Sequence, residues 1–232
     1  MKIRSVITAR AGRYVRASVR DSQSLFTNIW GHVYLPDLVR DIKERYGFVG
    51  APQALYELEV SDSSAASFKH GKFVRETRSV LIKTLEVYAN WVIATTESST
   101  DDADAFLSDL LTWLSGTYFT VTSYSYVTYY SQLEVVLEAN FGTAARFLSS
   151  PRSKLAGMLS SYNNLSPPKF EMSGFSLNYD TVERKEANWG GFTIERRSGH
   201  SYPESVYFTQ APLKTEDHIL ILSEIEQALK GS

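Results

Sequence analysis

Three carboxylates lie within four residues of one another at Asp101, Asp102 and Asp104. Hard divalent cations bind several such oxygens, so this cluster is a candidate metal site. The segment lacks the glycine and the distal glutamate of a calcium-binding loop. A Ser-Ser-Thr run precedes it, and these residue types cap helices whose first turn favours negative charge. We therefore interpret the cluster as a helix start and assign no metal to it.

The remaining residue types that do catalytic chemistry form no recognisable motif. The four histidines show none of the spacings that make a metal site specific: His32, His70, His200 and His218. The chain has no cysteine, which excludes disulfides, thiolate zinc sites and cysteine nucleophiles. Glycine-rich phosphate loops and the Gly-x-Ser-x-Gly elbow are also absent. A Ser-His-Asp triad stays open, because triads assemble across a fold without obligatory spacing.

One acidic set is compatible with a metal-dependent nuclease. Asp180 and Glu183 precede Lys185, and Glu195 falls on a predicted strand. Nucleases gather acidic residues, and often a lysine, at a sheet edge to hold a metal and activate water. Such short spacings also arise by chance. We keep this activity as the alternative hypothesis and assign no catalytic residue and no cofactor.

The first 24 residues are strongly basic, with no acid before Asp21. Arg10, Arg13, Arg16 and Arg20 recur at helical spacing, which predicts a short basic helix or arm. We assign these four arginines to partner binding, and they would also suit nucleic-acid phosphates. Targeting and simple solvation against acidic surface explain the same bias, so all three uses remain open.

A tyrosine-rich stretch from Tyr118 to Tyr130 is typical of a β-strand. With period two, Tyr118, Tyr124, Tyr126 and Tyr130 share one face with several threonines. Tyrosine offers a large contact area at low entropic cost, which favours a recognition surface. A cross-strand aromatic ladder, or a face covered by a helix, would explain the same pattern. We assign the four tyrosines to partner binding.

The elements that position these residues centre on Ser79–Trp113. Strands are predicted at Val80–Tyr88 and Trp91–Thr95, joined by a tight turn at Ala89-Asn90. The helix that follows carries an apolar face from Phe106 to Leu114. This strand–strand–helix module is the clearest structural instruction in the chain.

Other elements are predicted on both sides of the module. His70-Gly71 is predicted to be the turn of a hairpin. Phe141 to Tyr162 reads as helical, with a break at Ser149–Pro151. A final helix is predicted from Thr215 to Leu229. The buried positions of the middle helical region are predicted to be Phe147, Leu148, Leu155, Met158 and Leu159.

Together these elements predict an α+β fold. Its sheet is largely antiparallel and aromatic-rich, in keeping with 14 tyrosines and 12 phenylalanines. About four or five helices should pack mainly on one face. We predict a basic arm over residues 1–34 and a single domain over residues 35–232. A subdivision near residues 163–168 is a further candidate, because that stretch resembles a linker.

The sequence favours a non-enzymatic protein-interaction or structural subunit, within a homo- or hetero-oligomer. It would act through the tyrosine-rich surface and the basic arm. The alternative is a nuclease or another nucleic-acid-binding protein that uses the arginines. A net charge of −2 argues against general attraction to nucleic acid or anionic lipid. We expect a protein partner or self-association, no membrane partner and a cytoplasmic location.

Overall fold

The fold is described from a computed structural model. It describes residues 1–18, 35–53, 57, 64–88, 90–118, 120–139, 141, 145–163, 166–180 and 190–231. Eight strands and four α-helices occur in these ranges. They are β1 (Lys2–Ser18), α1 (Leu35–Tyr46), β2 (Ala66–Arg75), β3 (Arg78–Val87), β4 (Trp91–Thr96), α2 (Thr100–Thr117), β5 (Thr120–Val136), α3 (Ser149–Asn163), β6 (Gly174–Leu177), β7 (Phe192–Arg196), β8 (Val206–Ala211) and α4 (Thr215–Gly231).

The strands form one antiparallel sheet in the order β2-β3-β4-β1-β5-β8-β7-β6. The α+β prediction with an aromatic-rich antiparallel sheet is therefore confirmed. The chain divides into two compact units. Unit 1 contains residues 1–5, 133–211 and 216–232, and unit 2 contains residues 6–132 and 212–215. The predicted subdivision near residues 163–168 stays a prediction.

The predicted strand–strand–helix module forms the centre of unit 2. β3 and β4 pair in antiparallel register, with Val87 opposite Val92 and Leu85 opposite Ala94. Ser99 caps α2, because its side chain accepts a hydrogen bond from the Asp102 N–H. The buried face of α2 packs on β4, as the apolar spacing predicts. It consists of Ala103, Phe106, Leu107, Leu110, Leu111 and Leu114.

An aromatic cluster joins α1 and β2 to this core. The Phe106 ring lies 4.9 Å from the Tyr46 ring and 5.7 Å from the Phe73 ring, both edge-on. Phe48 packs against Phe68 at 5.4 Å. Edge-to-face pairs of this kind add to the free energy of burying each ring. The cluster fixes α1 and α2 on the same side of the sheet in unit 2.

The N-terminal stretch is not a helix over Lys2–Ser18, because these residues form strand β1. β1 pairs with β4, and Arg10 lies opposite Thr95. Ala9 and Ala11 are fully buried on one side of β1. Their spacing of two residues is that of a β-strand. The helical reading of the arginine spacing is therefore wrong here. Residues 19–34, including Arg20, lie outside the described residues, so the predicted arm boundary stays a prediction.

The predicted hairpin at His70-Gly71 is also wrong, because β2 runs without a turn from Ala66 to Arg75. The pairing with β3 is interrupted at His70, which has φ 56°, but the register is the same before and after it. The actual turn between β2 and β3 is at Glu76-Thr77. Gly71 lies within the strand, opposite Ile82 of β3. A Cβ at this position would stand 2.5 Å from the Phe48 ring. Glycine here serves close packing and not chain reversal.

Replacement of Gly71 by alanine is expected to lower the free energy of unfolding by about 1–3 kcal/mol, because the fully buried Phe48 ring would have to move. Chemical denaturation measures the change. Gly116→Ala is the matched control, since an added Cβ there meets nothing within 4 Å. Equal stability of Gly71→Ala and the wild type would contradict the close approach.

Unit 1 contains the hairpins of β6, β7 and β8. The buried Phe141 ring packs edge-on against Phe175 at 5.7 Å and Tyr207 at 5.1 Å. The final predicted helix is confirmed as α4. Its buried Glu226 accepts hydrogen bonds from the Met1 ammonium at 2.5 Å and from the Glu138 N–H at 2.7 Å. Burial alone would raise the pKa of Glu226, but these bonds lower it overall.

The predicted burial of the middle helical region is wrong. Phe147, Leu155 and Met158 are exposed, while Leu148 and Leu159 are half-buried. No described side chain of α3 is buried. The α-helix begins at Ser149, after one 3-10 turn over Arg146–Leu148. The apolar spacing thus identifies the helix correctly, but the described part of unit 1 leaves these apolar side chains exposed or half-buried.

Candidate functional site

The side of the unit 2 sheet opposite α1 and α2 carries polar and aromatic side chains. We call this side the open face. Its members alternate with core residues along each strand, as in Trp91, Ile93 and Thr95 of β4. The strand register places Thr84 and Arg10 on either side of Thr95, and Glu86 beside Ile93. Three strands, β1, β3 and β4, therefore contribute neighbouring side chains to one surface.

Aromatic rings cover one end of the open face. Tyr14 lies directly opposite Trp91 in the register, and their ring centres are 5.5 Å apart in an edge-on arrangement. Gly12 lies between this pair and Thr128, where a Cβ would stand 2.7 Å from the Thr128 hydroxyl. The absence of a side chain at Gly12 allows the threonine and the Trp91 ring to approach the backbone.

A shallow hollow of about 450 Å³ occupies the other end of the open face. Its volume is within the range of small-molecule sites. It offers hydroxyl, amide and charged groups together. The hollow is lined by Thr8, Arg10, Lys83, Thr84, Glu86, Thr95, Tyr130 and Gln132.

The charges around the hollow are already paired. Arg10 donates to the Glu86 carboxylate at 2.7 Å, and Lys83 donates to the Glu97 carboxylate at 2.6 Å. Each pair is partly exposed, so each contributes little to stability. The pairs instead fix the positions of the charged groups. The hollow therefore presents balanced charge and several hydrogen-bonding groups.

The predicted arginines do not form one basic surface. Arg10 lies on the open face, whereas Arg13 faces α2, where it donates to Asp104 at 2.8 Å and to Ser108 at 2.7 Å. A spacing of three residues places two side chains on opposite faces of a strand, which explains their separation. The side chain of Arg16 and all of Arg20 lie outside the described residues.

The predicted tyrosines are also divided. Tyr130 lines the hollow and Tyr126 is exposed on β5, while the side chain of Tyr124 lies outside the described residues. Tyr118 is not in the strand, because α2 extends to Thr117 and Tyr118 caps its end. Its hydroxyl donates to Asp41. Burial, followed by this hydrogen bond, raises the pKa of Tyr118 to about 12.

The acidic cluster of α2 is neutralised within unit 2. Asp101 lies 3.9 Å from the Lys214 ammonium, and Asp104 pairs with Arg13. The fully buried Asp102 carboxylate accepts hydrogen bonds from Arg75 at 3.0 Å and from Arg78. Burial alone would raise the pKa of Asp102, but hydrogen bonds from Ser98 and Arg75 lower it overall. These contacts give each of the three carboxylates a structural role.

A Ser–His–Glu group in unit 1 has the wrong order for nucleophilic catalysis. Glu204 stands between the other two, accepting from Ser201 Oγ at 2.6 Å and lying 2.7 Å from His200 Nδ1. A triad instead needs the imidazole between the hydroxyl and the carboxylate. Hydrogen bonds from His200 and Ser201 lower the pKa of Glu204 to about 2. The arrangement is a capping box on a 3-10 turn.

The residues of the nuclease hypothesis are only partly described. Asp180 and Glu195 are exposed, and Glu195 lies on β7 opposite Phe208. Glu183 lies outside the described residues, as does His32. Within the described ranges, no three His, Asp or Glu side chains are grouped so that they could hold a metal ion.

The sequence interpretation missed most of the open face. Tyr14, Trp91, Ile93, Thr95 and Gln132 were not singled out, although their alternation with buried neighbours is visible in the sequence. Assembly of the face requires the pairing of β1 with β4, which joins distant parts of the chain. Comparison of the chain with protein-family models and with curated proteins finds no match.

Proposed function

We propose that the protein is a non-enzymatic binding subunit that takes a protein partner on the open face of unit 2, within a homo- or hetero-oligomeric assembly. The carrying observation is the composition of this face. It combines Tyr14, Trp91 and Tyr130 with hydroxyl, amide and paired charged groups on rigid strands. Aromatic residues are enriched in protein interfaces, and rigid strands lower the entropic cost of binding.

The charge arrangement favours a protein partner over nucleic acid. Phosphate binding requires unpaired basic groups whose counterions are released. Among the described N-terminal arginines, Arg4, Arg10 and Arg13 each contact a carboxylate at 3.1 Å or less. A nucleic acid would have to break these pairs, whereas a protein can complement balanced charge directly. Of the predicted basic arm, only Arg10 is therefore included in the proposed binding surface.

The proposal includes a cytoplasmic location. The chain has no cysteine and therefore no disulfide, which is compatible with a reducing compartment. Tyr126 and Tyr130 extend the proposed contact along β5, as the sequence interpretation assigned them.

Replacement of Tyr130 by alanine is expected to weaken partner binding at least about tenfold, because truncation of a hot-spot tyrosine at an interface costs about 2 kcal/mol or more. Tagged full-length protein, recovered from its own cells, would be analysed by quantitative and native mass spectrometry. The double exchange of Arg10→Glu with Glu86→Arg is a second probe. It keeps the internal ion pair but reverses the polarity presented to a partner.

Val49→Ser is the matched control, because Val49 is exposed just after α1 and does not line the hollow. It should retain every partner that the wild type recovers. A strictly monomeric chain whose recovered proteins are unaffected by either open-face variant would refute the proposal. Salt-sensitive binding of a single-stranded oligonucleotide that both variants abolish would instead support the nucleic-acid alternative.

A further inference from the structure

Helix α3 presents an apolar stripe that the described part of unit 1 leaves uncovered. Pro151, Leu155, Met158 and Tyr162 recur at steps of four, three and four residues, so they lie along one side of the helix. All four are exposed, with Leu155 at 45%, Met158 at 44% and Tyr162 at 73%. Phe147, in the turn just before α3, is 77% exposed. Leu148 and Leu159 are half-buried, so only the adjacent part of the helix rests on its own unit.

The charged side chains of α3 and of the turn before it all have one sign. Between Glu138 and Glu171 the sequence contains Arg146, Arg152, Lys154 and Lys169, and no acidic residue. On a helical projection Arg152 and Lys154 fall on opposite sides of the apolar stripe. The rest of the helix surface is mostly serine and glycine. Although the whole chain has a net charge of −2, this segment is locally basic.

The size and charge of the stripe disfavour a second copy of the chain. The exposed parts of Phe147, Leu155, Met158 and Tyr162 amount to roughly 400–500 Å² of apolar surface. A stable protein interface buries about 800 Å² on each partner. Two copies of α3 would also bring their basic residues together without a carboxylate to neutralise them.

An anionic lipid surface satisfies both features. An amphipathic helix can lie in the headgroup region with its apolar side chains inserted, and basic residues on its flanks add electrostatic attraction. Aromatic side chains such as Phe147 and Tyr162 suit the boundary between headgroups and acyl chains. Among the described helices, none is long and apolar enough to cross a membrane, so contact would be with the surface.

We propose that α3 and the turn before it bind the surface of an anionic membrane, through the Phe147–Tyr162 apolar stripe and the flanking Arg146, Arg152 and Lys154. The inference departs from the expectation of no membrane partner, which rested on the charge of the whole chain. It does not depend on the open face of unit 2, which lies in a different part of the chain.

The test is sedimentation of the full-length protein with vesicles. Phosphatidylcholine vesicles containing about 30 mol % phosphatidylserine should bind the protein at least about tenfold more tightly than phosphatidylcholine alone, since each basic residue near the surface strengthens binding about fivefold. Met158→Ser combined with Tyr162→Ser should reduce binding about tenfold or more. Lys154→Glu should reduce binding to the anionic vesicles only.

Leu177→Ser is the matched control, because Leu177 is an equally exposed apolar residue of unit 1 outside α3. It should bind like the wild type, and circular dichroism should confirm that all variants fold. The proposal is overturned by absence of sedimentation with anionic vesicles, by equal loss in Leu177→Ser, or by indifference to lipid charge. A dimer that Met158→Ser with Tyr162→Ser dissociates would also overturn it, by identifying a second copy as the occupant.

Discussion

Replacement of Asp102 by alanine is expected to lower the free energy of unfolding by about 3 kcal/mol. The Asp102 side chain is 0% exposed, and its carboxylate joins Arg75 and Arg78 of the β2–β3 hairpin to the first turn of α2. Alanine removes these contacts together with the hydrogen bond from Ser98. The arginines are partly exposed and can be rehydrated, which keeps the loss at the lower end for a broken buried pair.

Asp101→Ala is the matched control for this prediction. Asp101 is the preceding residue, but it is 44% exposed and lies 3.9 Å from Lys214, so its loss should change stability by no more than about 0.5 kcal/mol. Urea denaturation of both variants measures the difference. Because the folded-state pKa of Asp102 is lowered, its contribution is present above the unfolded pKa and is lost as the pH falls through the folded pKa. Similar stabilities for the two variants at neutral pH would contradict the assigned role.

Acidification from pH 6.5 to pH 4 is expected to cost the wild type about 3 kcal/mol of stability through His218 alone. Burial lowers the pKa of His218 from 6.5 to about 4. Between these values the unfolded chain binds a proton that the folded chain does not, so stability rises with pH across this window. Above about pH 7.5 the imidazole is neutral in both states, and this contribution no longer changes.

His218→Phe should flatten the pH dependence of stability between pH 4 and 6.5, since it keeps an aromatic ring beside Phe192 without a titrating group. Thermal or urea unfolding at several pH values measures the slope. The control is His70→Asn, because His70 is exposed and asparagine tolerates its positive φ. This control should keep the wild-type slope. If His218→Phe has the same slope as the wild type, another group must cause the pH dependence of stability.

The elements predicted most accurately are those whose structure is determined by residues close together in the sequence. The Ser99 cap, the acidic first turn and the Phe106–Leu114 face all lie within one short stretch, and α2 forms where they indicate. The strands before it differ from their predicted bounds by one or two residues. Capping and apolar period are decided by neighbouring residues, which is why the sequence alone sufficed.

The errors occur where a distant partner decides the outcome. The N-terminal arginines have helical spacing, but pairing with β4 makes β1 a strand and separates Arg10 from Arg13. The sequence pattern grouped Tyr118 with the following strand, but Tyr118 is the C-terminal cap of α2. The stripe of α3 has the same spacing as that of a buried helix, because periodicity predicts an apolar face without saying what covers it. The positions of Arg10, Arg13 and Tyr118 therefore depend on contacts that no local pattern encodes.

The register of β1 constrains the order in which unit 2 can be completed. β2, β3, β4 and α2 follow one another in the chain and form neighbouring contacts, so little loop-closure entropy opposes their assembly. β1 is synthesised before these elements, yet Ala9 pairs with Thr96 and Tyr14 with Trp91. β1 must therefore wait for a partner strand that is made about 80 residues later. Until β4 has been made, the apolar side chains and the unpaired backbone groups of β1 are exposed to aggregation.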